Sequence, residues 1–456
     1  MALFCTRGER SAMTLRRPPR RKRLGIHLTL VMAWSAAIVV LTSSAAAQQY
    51  QADKVDEQAR RLSGFTATWL RDPARYAAEK DRFAEYFTKA YFPSMTQYGP
   101  KDLESLGKKR YDLFNDFLWK TSNSELQSHL TGLAFDAMRG IAFSRNRNYH
   151  PAVRYNAVLV LGMLDKVYGD DRANRKPQPL PEANQLLTQY VDYASNEENR
   201  APASLVVGAL VGLERHARFR ESLDPQRPEA MTASIRKLLS NEPPLADVDR
   251  DVSEWIKLRG AAVLARLGSP GAGGEVHQTL LDLLAGQDGR KMTLDSRCQL
   301  VALLALLNYA GASVDAQATA DQIIELAADV AQAEAKRAKE FEDVQIGGGF
   351  GGGYPGRGGG YSAFGGPLKY DRRLLLVRFG DVRSGLQAVK PVLPADKQAA
   401  ADTILAALKM ATDAAEDKNL IDLDVASKVR IVAREIEQAA DPGAPPAVED
   451  PPADEF

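Results

Sequence analysis

The sequence predicts an all-α protein assembled from helices that pack on several sides, and three of its features carry that expectation. The stretch 150–164, HPAVRYNAVLVLGML, opens with a proline where the first turn of a helix has no use for an N–H. Val153, Ala157, Val160, Leu161 and Leu164 then fall on one helical stripe, and Val158, Leu159 and Met163 are apolar too. A helix of this kind is expected between neighbours, with little solvent face. Its opening, an apolar residue, an arginine and an alanine three residues later, recurs along the chain. Between these segments, 169–181, 196–200, 224–228 and 241–244 are rich in Pro, Asn, Asp and Gly, and no alternating β-branched run of strand length appears.

The recurrences are Leu258-Arg259-Gly260-Ala261-Ala262 with the apolar run after it, and Val429-Arg430-Ile431-Val432-Ala433. Looser copies begin at Ser296-Arg297 and at Asp381-Val382-Arg383, and a degenerate one lies at 203–210. These segments resemble the second helix of HEAT or armadillo-type repeats, whose signature is an aspartate, a Val-Arg pair and an alanine. The resemblance implies an irregular α-solenoid of HEAT/armadillo-like helix pairs. It also implies a structural ladder between repeats, made by Arg154, Arg259, Arg297 and Arg383 with Asp295 and Asp381. His150 and Trp255 stand where two further aspartates are expected.

Taken in order, residues 1–47 read as a signal peptide: a basic cluster from Arg16 to Arg23, an apolar run 24–41, and Ala45-Ala46-Ala47 as a small-x-small cleavage site. Cleavage after Ala47 would make the protein periplasmic or secreted. An uncleaved segment would anchor it as a single-pass membrane protein, and Met13 is an alternative start. Residues 48–145 form an aromatic-rich helical cap, within which Ser124-x-x-Gln127 is expected to be a capping box. Trp69, Tyr91 and Trp119 make a possible aromatic binding surface. Helical repeats fill 146–345, ending in a long alanine-rich helix over 315–343. A glycine-rich insertion follows at 346–366, more helices at 367–440, and a proline-rich acidic tail at 441–456, the insertion and the tail both expected to be disordered.

Charge narrows the partners. Residues 1–47 hold eight of the 59 basic residues and one of the 58 acidic ones, leaving 51 against 57 in the remainder. That mildly acidic remainder does not suit a nucleic-acid binder, and a membrane is expected as a partner only if the N-terminal segment is retained. His129, His150, His216 and His277 lack metal-ligand spacing and are expected at the surface or at helix ends. Cys298 lies in an apolar helix and is expected to be a small core residue. Ser105-Leu106-Gly107-Lys108 matches S-x-x-K alone, and no G-x-S-x-G is present. No catalytic, metal or cofactor-binding set converges, so the expected function is a non-catalytic scaffold that binds other proteins. The alternative is a helical-toroid enzyme acting on a polysaccharide in an aromatic-lined cleft.

Overall fold

The computed structural model describes residues 49–144, 147–170, 173–241, 244–245, 248–286, 290–347, 369–441 and 443. The segment 1–47 read as a signal peptide, most of the glycine-rich insertion and nearly all of the acidic tail lie outside the described residues. The chain is predominantly helical, as its apolar periodicity requires.

The N-terminal part is a set of short helices: α1 (Glu57–Arg61), α2 (Thr66–Arg71), α3 (Pro73–Ala78), α4 (Lys80–Tyr86), α5 (Phe92–Ser94) and α6 (Pro100–Asp112). Asp56 and Asp72 start α1 and α3 by accepting two backbone N–H groups each, and Pro73 follows at the first position. Trp69, Tyr76, Phe83, Phe87 and Phe114 are fully buried and meet edge to face or tilted, as ring quadrupoles prefer. Two π-helical turns, Phe87–Tyr91 and Leu113–Leu118, carry the aromatic stripes of this core.

From Ser124 onward the helices lengthen. They are α7 (Ser124–Phe143), α8 (Pro151–Leu161), α9 (Pro181–Ala194), α10 (Ala203–Arg218), α11 (Gln226–Leu239) and α12 (Arg250–Leu267). After these come α13 (Glu275–Ala285), α14 (Leu294–Leu304), α15 (Ala316–Gly347), α16 (Arg372–Val389), α17 (Ala395–Glu416) and α18 (Asp422–Ala440). The packing is regular. The even-numbered helices α8, α10, α12, α14 and α16 each pack on the next, the odd-numbered α9, α11, α13 and α15 do the same, and sequential neighbours join the two rows. The long α15 then lies along α18, while α17 packs on α16 and α18. Helix α8 has the expected all-round burial, with Pro151 its one exposed residue.

Two devices hold the even row together. Where α8 ends and α10 crosses it, glycine meets glycine: a Cβ on Gly162 would stand 2.5 Å from the Gly212 Cα, and one on Gly212 would stand 2.8 Å from the Gly162 Cα. The second device is a carboxylate at each step. Arg215 of α10 grips Asp165 just beyond α8 with two bonds of 2.8 and 2.6 Å. Arg259 and Arg266 of α12 both reach Glu214 of α10 at 3.0 Å. Glu254 of α12 accepts from Thr293 and Ser296 at the start of α14, and Arg378 of α16 reaches Asp295 of α14 at 2.6 Å.

Several local expectations are corrected. The cap of α7 is Asn123, which accepts from the Glu125 and Leu126 N–H groups, so Ser124 is already helical and Gln127 instead donates to the Leu118 carbonyl. His216, in the last turn of α10, and His277, in the first turn of α13, lie at helix ends as expected, but both are buried in the core and not at the surface. Burial pushes His216 down to about 3 and His277 to about 4, so both are neutral. Asp165–Val167 pairs antiparallel with Gln178–Pro179, a two-stranded ribbon too short to announce itself by alternation. The helix that begins α15 runs on to Gly347, into the glycine segment.

Candidate functional site

Helices α7 to α10 run alternately up and down, so their ends gather at two places, and a cleft opens at each. The first lies where α7 and α9 end and α8 and α10 begin, with a volume of about 600 Å³. Phe143, Tyr190 and Tyr193 form its apolar shelf: Phe143 lies 4.6 Å from Tyr190, and Tyr190 and Tyr193 stack with centroids 6.1 Å apart. Tyr193 is exposed; burial pushes the Tyr190 hydroxyl up to about 12.

Arg147, Arg154 and Arg200 line the same cleft, and among the described residues no carboxylate does. Arg147 is exposed and bonds Asp53 from behind at 2.7 Å. Arg154 uses its Nε–H on the Ala142 carbonyl at 2.9 Å, which caps the end of α7 and turns the guanidinium toward the lining. Arg200 is exposed and sits at φ 37°, in the left-handed region that a bulky residue rarely adopts. Among the described residues neither Arg154 nor Arg200 has a carboxylate partner. Three cations beside stacked rings make a site for an anion with apolar or aromatic body.

The second cleft, about 610 Å³, lies at the opposite ends of the same helices. Trp119, 48% exposed, and Phe219 line it with Asp165, Asn174, Arg175, Lys176 and Arg215. Here the cations are engaged. Arg215 holds the buried Asp165 and lies 5.5 Å over the Phe219 ring, Arg175 donates to the Tyr168 carbonyl, and Lys176 pairs with Glu221 at 3.4 Å. Burial raises the Asp165 carboxyl despite the hydrogen bonds from Arg215.

The residues singled out from sequence are distributed as follows. Trp69 is fully buried and donates to Glu79 at 2.9 Å, so it offers no binding surface. Tyr91 is half-buried with its hydroxyl committed to the Lys109 carbonyl, and only Trp119 is open. Among the arginines, Arg259 reaches Glu214 and Arg297 reaches Asp329 of α15 at 2.9 Å. Arg383 has no ion pair among the described residues. Asp295 is met by Arg378, which is not among the ladder arginines that the resemblance implied. Asp381 lies with Asp295, Cys298 and Arg378 around a smaller cleft of about 260 Å³. Burial, and then the charge of Asp295, raises Asp381 to about 6. Burial likewise raises the Cys298 thiol to about 12, which keeps it protonated.

Sequence reading missed Glu214, Glu334 and Asp165. Burial works against the charge of Glu214, but bonds from Arg218, Arg259 and Arg266 prevail and hold it below the usual carboxylate range. Glu334 is wholly buried between Arg337, Arg378 and the Tyr370 hydroxyl. Glu214 is the one acid of α10, and a lone acid in such an apolar run is the signal that could have found it; Glu334 is one of several acids of α15, and Asp165 follows the apolar run of α8 in a short strand. Among the described residues no group of His, Cys, Asp and Glu is arranged to hold a metal ion, and no helix is long and apolar enough to cross a membrane. No family model, curated protein or solved structure matches the chain.

Proposed function

We propose that the chain is an irregular α-solenoid that works as an exported binding scaffold, and that its partner proteins enter the arginine cleft at the start of α8 and α10. The two parallel rows of helices support the solenoid reading, because stacked helix pairs build a long surface from repeated elements. The observation that carries the binding reading is the lining of the first cleft: stacked Tyr190 and Tyr193 beside Arg147, Arg154 and Arg200, with no lining carboxylate among the described residues. Tyrosine and arginine are the side chains that most often dominate protein interfaces. The test is crosslinked pull-down with wild type and with Tyr193→Ala. Loss of a specific partner in the variant supports the reading; identical recovery removes it. N-terminal sequencing should begin at Gln48 if the protein is exported with cleavage.

A second reading rests on Trp119. Its exposed ring, with Arg175 and Asn174 beside it, suits the flat face of a sugar, as the polysaccharide alternative requires. Glycan binding abolished by Trp119→Ala and untouched by Tyr193→Ala would favour it.

A further inference from the structure

The arginine cleft presents a ring and a cation side by side. Tyr193, the exposed end of the row formed with Phe143 and Tyr190, exchanges bonds with Asn199: its hydroxyl donates to the Asn199 carbonyl at 3.4 Å, and the Asn199 Nδ2–H donates to the Tyr193 carbonyl at 2.7 Å. Arg200 follows Asn199 directly, so these two bonds tie the turn that carries it to Tyr193. Arg154 stands near enough to Tyr190 for its charge to oppose the effect of burial on that hydroxyl. Ala201 and Pro202 line the cleft too, and α10 begins just after them with no side chain capping its first N–H groups, which adds the positive end of a helix dipole to the arginines.

We propose that this cleft takes a short acidic segment of a partner protein with an aromatic residue beside its acids, the ring laid on Tyr193 and the carboxylates held by Arg154 and Arg200. The inference rests on the binding reading above and names the chemistry of what binds. A volume of about 600 Å³ suits a compact ligand and not a broad protein face, so ring and acid must be near neighbours in whatever enters. A guanidinium can hold a carboxylate with two parallel bonds, and neither Arg154 nor Arg200 has a carboxylate partner among the described residues. Arg200 is the sharpest pointer. Its backbone, at φ 37°, is one that glycine would adopt at ease, while its exposed side chain makes no bond among the described residues, so the strain serves no contact within the fold. The other clefts fit less well. The one beside Trp119 has its Arg215 occupied by Asp165, and the one beside Cys298 presents Asp295, Asp371 and Asp381, which would repel an acidic segment.

Fluorescent hexapeptides carrying Asp or Glu on either side of one Phe or Tyr are titrated with the full chain and read by polarisation at two salt concentrations. They should bind, and binding should weaken with salt. Changing the acids to amides, or the ring to alanine, should cost about tenfold, the loss of one charged or stacked contact of ~1.4 kcal/mol. Arg200→Glu and Tyr193→Ala, both exposed, should weaken binding as much, and Trp119→Ala should leave it unchanged. Arg200→Gly separates a binding role from a structural one. It should weaken binding yet leave the melting temperature about where it is, because relief of the left-handed backbone offsets the freedom that glycine adds to the unfolded chain. Absence of binding by every peptide overturns the proposal, as do equal binding of the amide peptides and binding that ignores both cleft substitutions. Capture of phosphatidylglycerol vesicles in place of the peptides also overturns it, by making the ligand a lipid headgroup. If the peptides fail while Tyr193→Ala still costs the chain a crosslinked partner, this inference falls and the scaffold reading stands.

Discussion

The clefts at the two ends of α10 are built from the same helices and the same residue types, and they differ in what their arginines are doing. At the α10 C-terminal end, Arg215 is spent inside the protein, neutralising a buried aspartate, and Lys176 leans on Glu221. At the N-terminal end, Arg154 and Arg200 face the cleft without a described carboxylate. An arginine that stabilises the fold and one that offers itself to a ligand look alike in sequence. What separates them is whether a carboxylate is buried within reach, since a buried charge must be paired and an exposed one need not be.

The comparison breaks most severely at the crossing the two clefts share. Gly212→Val should cost about 3 kcal/mol or abolish folding, because the added carbons meet the Gly162 backbone and the Leu187 side chain; denaturant titration measures it, and a loss under roughly 1 kcal/mol would mean that α10 simply shifts. Next comes Arg215→Ala, expected to cost about 3 kcal/mol near neutral pH by leaving Asp165 buried and unpaired. The sign with pH is definite. Burial already raises this carboxyl, and removing Arg215 removes what opposed it, so the folded pKa rises further above the unfolded value. The variant should therefore recover relative to wild type as pH falls through the carboxylate range and Asp165 takes up a proton. Equal deficits at pH 7 and at pH 4 would refute this.

Asp381 gives a smaller effect of the same kind away from both clefts. Its folded value of about 6 lies above the ordinary aspartate range, so it withdraws stability as pH rises through that window. Asp381→Asn should melt higher than wild type at pH 7, with the difference closing near pH 4. The smallest effects sharpen the comparison rather than break it. Tyr193→Ala and Trp119→Ala remove exposed rings from the two clefts, and each should change stability by only about 0.5 kcal/mol while altering binding at its own end.

Much of this architecture was legible in the sequence, because helices of this length announce their buried faces by spacing. The proline at the start of α8 and the apolar run behind it located that helix closely. The carboxylate steps were not legible. Glu214 and its arginines Arg259 and Arg266 are separated by 45 and 52 residues, and only the stacking of α10 on α12 brings them together. The same holds for Asp295, which meets Arg378 across α14 and α16, an arginine outside the ladder that the resemblance implied. The aromatic surface failed for another reason, since hydrophobic count does not distinguish a ring in the core, Trp69, from one at a cleft, Trp119. The cap at Asn123 was displaced by one residue because asparagine and serine both suit that position.

The backbone contact between Gly162 and Gly212 has a mechanical meaning. With no side chain between them the α8 and α10 backbones touch there, with Leu187 against Gly212 and Arg215 reaching the Gly162 carbonyl at 3.5 Å, so a tilt of one helix on the other would turn about this point as on a fulcrum. The two mouths lie on opposite arms of this lever. A tilt that widens one narrows the other, and a ligand that wedges one mouth open is expected to be felt at the other, although the two share no lining residue.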